Sequence, residues 1–206
     1  MENGKMYYRK DYKYQNADFT GEFSEKLAKA RDWLNNYQDQ HTNLFICGTT
    51  GCGKTYLAMA FLNELAKSAR YIPPFNYNGQ KRDGFWDIED VEYVTSKELF
   101  DTIKCKFSTN PTTVATAKEN IYTFYNTKLL IIDEFGLGYG TDSELIELTE
   151  LLDYRWKKGL PIVFLSNLGM KALTTYLKDR AAQRAFDGAS YVEVKDVSLR
   201  TKPKEL

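Results

Sequence analysis

Residues 48–55, Gly48-Thr49-Thr50-Gly51-Cys52-Gly53-Lys54-Thr55, constrain this chain more than anything else in it. They fit the pattern G-x-x-x-x-G-K-[ST] at every position. The apolar run Asn43–Cys47, NLFIC, enters the loop and reads as a buried strand. Residues 55–69 leave it as a helix with Leu57, Phe61, Leu62 and Leu65 on an inner side. A glycine-rich turn between a buried strand and a helix lets backbone N–H groups face an anion, and the helix N-terminus adds a favourable field. Gly48, Thr49, Thr50, Gly51, Cys52 and Gly53 are therefore read as a phosphate cradle. Lys54 is placed to reach the β and γ phosphates, and the Thr55 hydroxyl to ligate Mg2+.

The remaining chemistry sits at the ends of other apolar runs. Leu129-Leu130-Ile131-Ile132 is followed by Asp133-Glu134. Two adjacent acids at the end of a buried strand are costly for packing alone, and they fall where open α/β sheets bind ligands. Asp133 suits the magnesium shell, and Glu134 suits the orientation and polarisation of an attacking water. Ile162-Val163-Phe164-Leu165 ends at Ser166-Asn167. Asn167 is placed to meet the γ-phosphate or the water, although asparagine after a strand is also an ordinary turn former. Arg180 and Arg184 lie four apart on one helical face. They serve either a neighbour's nucleotide, where a cation neutralises charge on the phosphoryl oxygens, or a solvated, salt-bridged helix face.

The element order predicts the fold class. A helix over 24–38 precedes the first strand, and strands follow at Val91–Val94, Leu129–Ile132, Ile162–Leu165 and Tyr191–Val194. Ser96 is the expected cap of a helix over 97–107. A second helix ends at Glu119–Tyr125, and further helices cover Asp142–Lys158 and Ala172–Phe186. Strands apolar on both sides demand a parallel sheet covered by helices on both faces. Residues 71–90, rich in proline and glycine, read as a long loop inserted in the domain. Its Tyr77, Lys81, Arg82, Phe85 and Trp86 mix aromatics with positive charge, as a surface for stacking on DNA would, while Asp83, Asp87, Glu89 and Asp90 make a protein contact as plausible. Residues 1–22 are expected to form an aromatic arm and residues 23–206 the ATPase domain. His41, just before the first strand, is read as a linker histidine or as a neighbour of the nucleotide base.

Composition narrows the class. The chain has 206 residues, 43% hydrophobic and 27% charged, which is enough for one globular domain with a core. Lys plus Arg and Asp plus Glu both number 28, which excludes a strongly basic nucleic-acid sink. No run is long and apolar enough for a membrane span, so no membrane partner is expected. Cys47, Cys52, Cys105 and His41 are too few and too scattered for a zinc site or a disulfide scaffold, and a reducing cytoplasm is the expected compartment.

With these motifs in place, the sequence resembles the AAA+ ATPases of the DnaC/DnaI helicase-loader and IstB transposition-helper group, over roughly residues 24 to 195. The anchors are GTTGCGKTYLA, LLIIDEFG, RWKKGLPIVFLSN and DRAAQR. The resemblance implies a P-loop NTPase fold of AAA+ type. Gly48–Thr55 would be its Walker A loop, Asp133-Glu134 its Walker B pair and Asn167 its sensor-1 residue. Arg180 or Arg184, with a slight preference for Arg180, would be its trans-acting arginine. It also implies ATP and Mg2+ as ligands, self-association through the ATP site, weak binding of single-stranded DNA, and a hexameric replicative helicase as partner. Loaders commonly carry a separate N-terminal helicase-binding domain. Here about 20 residues precede the first helix, so either the aromatic arm replaces that domain or the function is missing. No C-terminal lid domain with its sensor-2 arginine is expected. The minimal size suits a phage or mobile-element protein.

The expected function is ATP-dependent loading of a replicative helicase onto single-stranded DNA during replication. The alternatives are a transposition-helper ATPase and a nucleotide-gated inhibitor of replication that hardly turns over. Intact Asp133 and Glu134 count against the last.

Overall fold

The computed structural model describes residues 14–77, 80–82, 84–88, 90–137 and 141–194. The elements follow in the order α1 (Glu25–Asn35), a 3-10 turn (Tyr37–Asp39), β1 (Leu44–Gly48) and α2 (Lys54–Ala66). Four short strands come next, β2 (Arg70–Ile72), β3 (Phe75–Tyr77), β4 (Gln80–Arg82) and β5 (Phe85–Asp87). Then follow β6 (Val91–Thr95), α3 (Ser96–Cys105), α4 (Pro111–Asn126), β7 (Leu129–Asp133), α5 (Asp142–Lys158), β8 (Ile162–Ser166), α6 (Met170–Phe186) and β9 (Ser190–Val194).

Among the described residues, β6, β7, β8, β1 and β9 lie side by side in that order, every neighbouring pair parallel. Strand alternation sends successive side chains to opposite faces, so each apolar run fills two cores. Leu44, Ile46, Leu129, Ile131, Val163 and Leu165 pack on one side with α1 and α2. Phe45, Leu130, Ile132, Ile162 and Phe164 pack on the other with α3 to α6. Phe45 and Phe164, paired in register, stack with centroids 4.5 Å apart. Because all five strands run the same way, the C-terminal ends of β1, β7 and β8 gather on one edge of the sheet.

Several local expectations change. The cap of α3 is Thr95, not Ser96: Thr95 and Glu98 close a reciprocal capping box, and Ser96 is buried at the first helical position. The amphipathic helix after the loop is in fact buried all round from Leu57 to Asn63. The reason is the preceding chain, which lies across its outer side. Phe19 packs on Phe61 at 5.4 Å, and the Asn63 amide donates to the carbonyls of Tyr14 (2.9 Å) and Ala17 (3.0 Å). Of the expected arm, residues 1–13 lie outside the described residues.

Residues 71–90 are not an unstructured loop. β2 pairs antiparallel with β5, and β3 with β4, so the chain goes out and returns as a short ribbon. Tyr71 and Trp86, opposite each other, have ring centroids 5.0 Å apart. The side chains of Tyr77, Lys81, Arg82 and Phe85, which the DNA-stacking reading needs, lie outside the described residues, as do Asp83 and Glu89 of the protein-contact reading.

In α5, Ile146 (60% exposed) and Trp156 (42% exposed) leave the core face. Helix α6 is broken at Lys178, whose φ of 58° and ψ of 176° are not helical. His41 stands at the start of β1, at the opposite end of the sheet from the phosphate loop, with Nδ1 3.3 Å from the Gly159 carbonyl. That placement removes it from the nucleotide base.

Candidate functional site

The loop after β1 takes its shape from its glycines. A Cβ at Gly48 would run into the Val194 carbonyl oxygen of the neighbouring strand β9. Gly51 and Gly53 have φ of 86° and 101°, the left-handed region that only glycine adopts at little cost. Gly53 caps α2 without any side-chain bond, so the first N–H groups of the helix face the loop's hollow.

Lys54 is buried beneath this loop. Its ammonium donates to the carbonyls of Gly48 (2.8 Å) and Thr49 (3.0 Å) and to Asn167 Oδ1 (2.9 Å). Loop and β8 are thus joined through one cation, although Lys54 and Asn167 are 113 residues apart. Thr55, one residue on, donates from Oγ1 to Asp133 Oδ2 at 2.8 Å. The other carboxylate oxygen, Oδ1, accepts the Glu134 N–H at 2.7 Å. Asp133 lies on the α2 face of β7, since it alternates with Ile131 and Leu129, which pack there.

Glu134 leaves the strand in a left-handed conformation, with φ of 56°. For a non-glycine residue this stores roughly 1–3 kcal/mol, the kind of strain retained where a side chain must be aimed. Its side chain is exposed, beside the same cavity. The turn is anchored from β8: the Phe135 N–H donates to the Leu165 carbonyl (2.9 Å), and the buried Ser166 hydroxyl donates to the Phe135 carbonyl (2.6 Å).

Lys54, Thr55, Asp133, Glu134 and Asn167 therefore line one cavity of about 250 Å³, with Thr50, Gly51 and Gly53 along its rim. Sequence reading missed three tyrosines here. Tyr14, from the chain segment laid over α2, and Tyr56 line the same cavity. Tyr93 on β6 donates its hydroxyl to Asp133 Oδ2 at 2.8 Å. Burial foremost, then the Asp133 charge, pushes the Tyr93 phenol well above its ordinary pKa, so it stays a donor. The only sequence signal was a hydroxyl-bearing aromatic between Glu92 and Val94 in a short strand. Cys52 is buried with Sγ 3.6 Å from the Lys54 ammonium.

The arginines are not brought to this cavity within the chain. Arg184 Nε donates to Asp153 Oδ1 on α5 at 2.8 Å, and its guanidinium lies 4.1 Å from the Trp156 ring centre. Arg180 bonds Asp153 Oδ2, yet its side chain keeps 71% exposure against 26% for Arg184. Both carry the salt bridge that the plainer sequence reading anticipated, and only Arg180 remains largely open to solvent.

A family model described as "Type III restriction enzyme, res subunit" matches residues 23–73, the stretch from α1 through the phosphate loop and α2. The chain is 23% identical over 158 residues to the replicative helicase loader DnaC of Escherichia coli (strain K12), covering 77% of this chain and 56% of that protein. It thus spans a little more than half the length of that relative. Among solved structures, the DnaC helicase loader superposes with a TM-score of 0.65 at 14% identity, over 90% of this chain and 100% of that one. The replication initiator DnaA bound to AMPPCP and single-stranded DNA gives 0.62 at 19% identity, over 90% and 50%. The chain is similar in sequence to DnaC-type loaders, and its fold, as in those solved structures, is an α/β core of five parallel strands between helices, with a phosphate loop after β1.

Proposed function

We propose that this chain is an ATP-hydrolysing AAA+ protein that loads a replicative helicase onto single-stranded DNA. One observation carries the reading: Lys54 and Thr55 after β1, Asp133 and Glu134 at the end of β7, and Asn167 after β8 converge on a single cavity. The sequence likeness to a helicase loader, over 77% of the chain, supports the choice of partner.

The residues fit a magnesium nucleotide. Thr55 Oγ1 and the Asp133 carboxylate are hard oxygen donors already 2.8 Å apart, the donor type that Mg2+ selects. When bound, the ion would draw charge from the phosphoryl oxygens. Lys54 exchanges its carbonyl acceptors for the phosphate oxygens, and the loop N–H groups hold them in place. Asn167, next to Lys54, orients the terminal phosphate or the water. Glu134 accepts a hydrogen bond from the attacking water and takes its proton as the water oxygen bonds the γ-phosphorus and the bridging P–O bond to ADP breaks, ADP leaving with the bonding pair. Tyr14 and Tyr56 offer aromatic surface for the base. Across an interface between copies, the exposed Arg180 reaches the neighbour's phosphate, while Arg184 stays on Asp153 and Trp156. Zero net charge fits weak binding of single-stranded DNA by the isolated protein.

The test is a tagged Glu134→Gln variant captured with ATP and magnesium from host cells and read by mass spectrometry. The variant should bind ATP and lose hydrolysis by about 10²–10⁴-fold, the range for a removed general base. Unchanged hydrolysis removes Glu134 from the chemistry. Recovery of the replicative helicase, followed by loading in a reconstituted assay, supports the proposal. Helicase capture without loading indicates an inhibitor, and capture of a transposase without helicase indicates a transposition helper.

A further inference from the structure

Tyr93 belongs to no motif, yet it touches the centre of the site. It sits on β6, an edge strand of the sheet, in register with Ile131 of β7. Tyr93, Ile131 and Asp133 share the face that α2 covers, and Thr55 lies in the first turn of α2. From Tyr93 to Asp133 the hydroxyl must climb two residues along the strand, about 6.6 Å, a span that needs a long side chain. It does so and donates to Asp133 Oδ2 at 2.8 Å. That oxygen also accepts Thr55 Oγ1 at 2.8 Å, while Oδ1 accepts the Glu134 N–H at 2.7 Å. Three donors, from β6, from α2 and from the turn that follows β7, thus fix both oxygens of one carboxylate. For packing against the sheet an aromatic ring suffices; the hydroxyl is there for Asp133.

Building on the reading of Asp133 and Thr55 as the magnesium-holding pair, we propose that Tyr93 is a positioning residue that sets the Asp133 carboxylate for the cation. Without the phenol, the Glu134 N–H would still hold Oδ1, but Oδ2 would be restrained from one side only, by a threonine that also ligates the ion. The phenol restrains it from the opposite strand. Outer partners of this kind typically change metal affinity 10–100-fold when removed. Phenylalanine at this position keeps the ring and deletes only the donor.

The experiment is calorimetric titration of ATP into the wild-type chain, Tyr93→Phe and Asp133→Asn, in EDTA and across a magnesium series. In EDTA, Tyr93→Phe should bind ATP as the wild type does. Its half-saturating magnesium concentration should rise about tenfold or more. If Asp133→Asn loses the magnesium response while Tyr93→Phe stays within about twofold of wild type, the role of Tyr93 is refuted and that of Asp133 stands. If Asp133→Asn keeps the full response, the magnesium assignment itself falls and takes the Tyr93 proposal with it. If Tyr93→Phe weakens ATP equally in EDTA and in magnesium, the phenol serves the fold rather than the cation, and the proposal is overturned.

Discussion

Replacing Arg155 by methionine should destabilise the protein by about 4 kcal/mol. Arg155 is 1% exposed on α5, and among the described residues its hydrogen-bond acceptors are all backbone carbonyls. Its Nη1 donates to the carbonyls of Phe124 (2.8 Å) and Thr127 (3.0 Å), and Nη2 to Pro161 (2.8 Å) and Lys128 (3.4 Å). These acceptors are the last carbonyls of α4 and the residues just before β7 and β8. The guanidinium therefore caps one helix and ties the starts of two strands whose far ends carry Asp133 and Asn167. Burial pushes its pKa down to about 9, which still leaves it charged at pH 7. Three short charge-assisted bonds, at about 1.5 kcal/mol each, sum to about 4.5 kcal/mol. Methionine fills most of the volume and recovers only a small part of this. At roughly 2–4 °C per kcal/mol for a chain of this size, thermal unfolding followed by circular dichroism should shift down by about 8–16 °C. Arg155→Lys keeps the charge but cannot fork across four carbonyls, and should fall between the two. A methionine variant within about 1 kcal/mol of wild type would refute the capping argument.

Arg184→Ala should cost about 1–2 kcal/mol in urea unfolding, through its lost Trp156 and Asp153 contacts, while Arg180→Ala should stay within about 1 kcal/mol. If Arg180 acts in trans, its alanine variant should bind ATP normally and lose turnover only in the assembled state; unimpaired assembled turnover dismisses that role. Asn63→Ala deletes two buried bonds that hold the Tyr14 segment over α2, so stability should fall by about 2 kcal/mol and ATP affinity several-fold, as calorimetry would show. An unchanged affinity would remove Tyr14 from the base site. The Asp153 carboxyl is raised by burial, but the bonds from Arg184 and Arg180 outweigh this and hold it below its usual value. Its contribution is thus fully present above about pH 4 and is lost as pH falls through the folded-state value. The unfolding midpoint should drop across that window, and Asp153→Asn should flatten the slope; an equal slope in both proteins would contradict it.

The phosphate loop, the apolar strands and the acidic pair were legible because each is a local pattern with a local cause. Alternation and glycine placement act within a few residues, and they sufficed for a parallel sheet with its polar ends on one edge. The paired character of residues 71–90 was not legible, because Tyr71 meets Trp86 only when the ribbon folds back. The expected amphipathic face of α2 failed for a related reason: a distant segment, residues 14–19, covers the side that its own sequence leaves open.

By itself, then, the sequence singled out candidates for binding phosphate and magnesium and determined which strands must be buried. Whether those residues meet was a tertiary question. Lys54 and Asn167 are 113 residues apart and Thr55 and Asp133 are 78 apart, and only the strand order β7-β8-β1 sets them at hydrogen-bonding distance. The same packing recruited Tyr93 to Asp133 and Arg155 to four carbonyls. Hydrogen-bond partners are chosen by proximity in space, and side-chain periodicity along a chain carries no record of which strand will lie beside which.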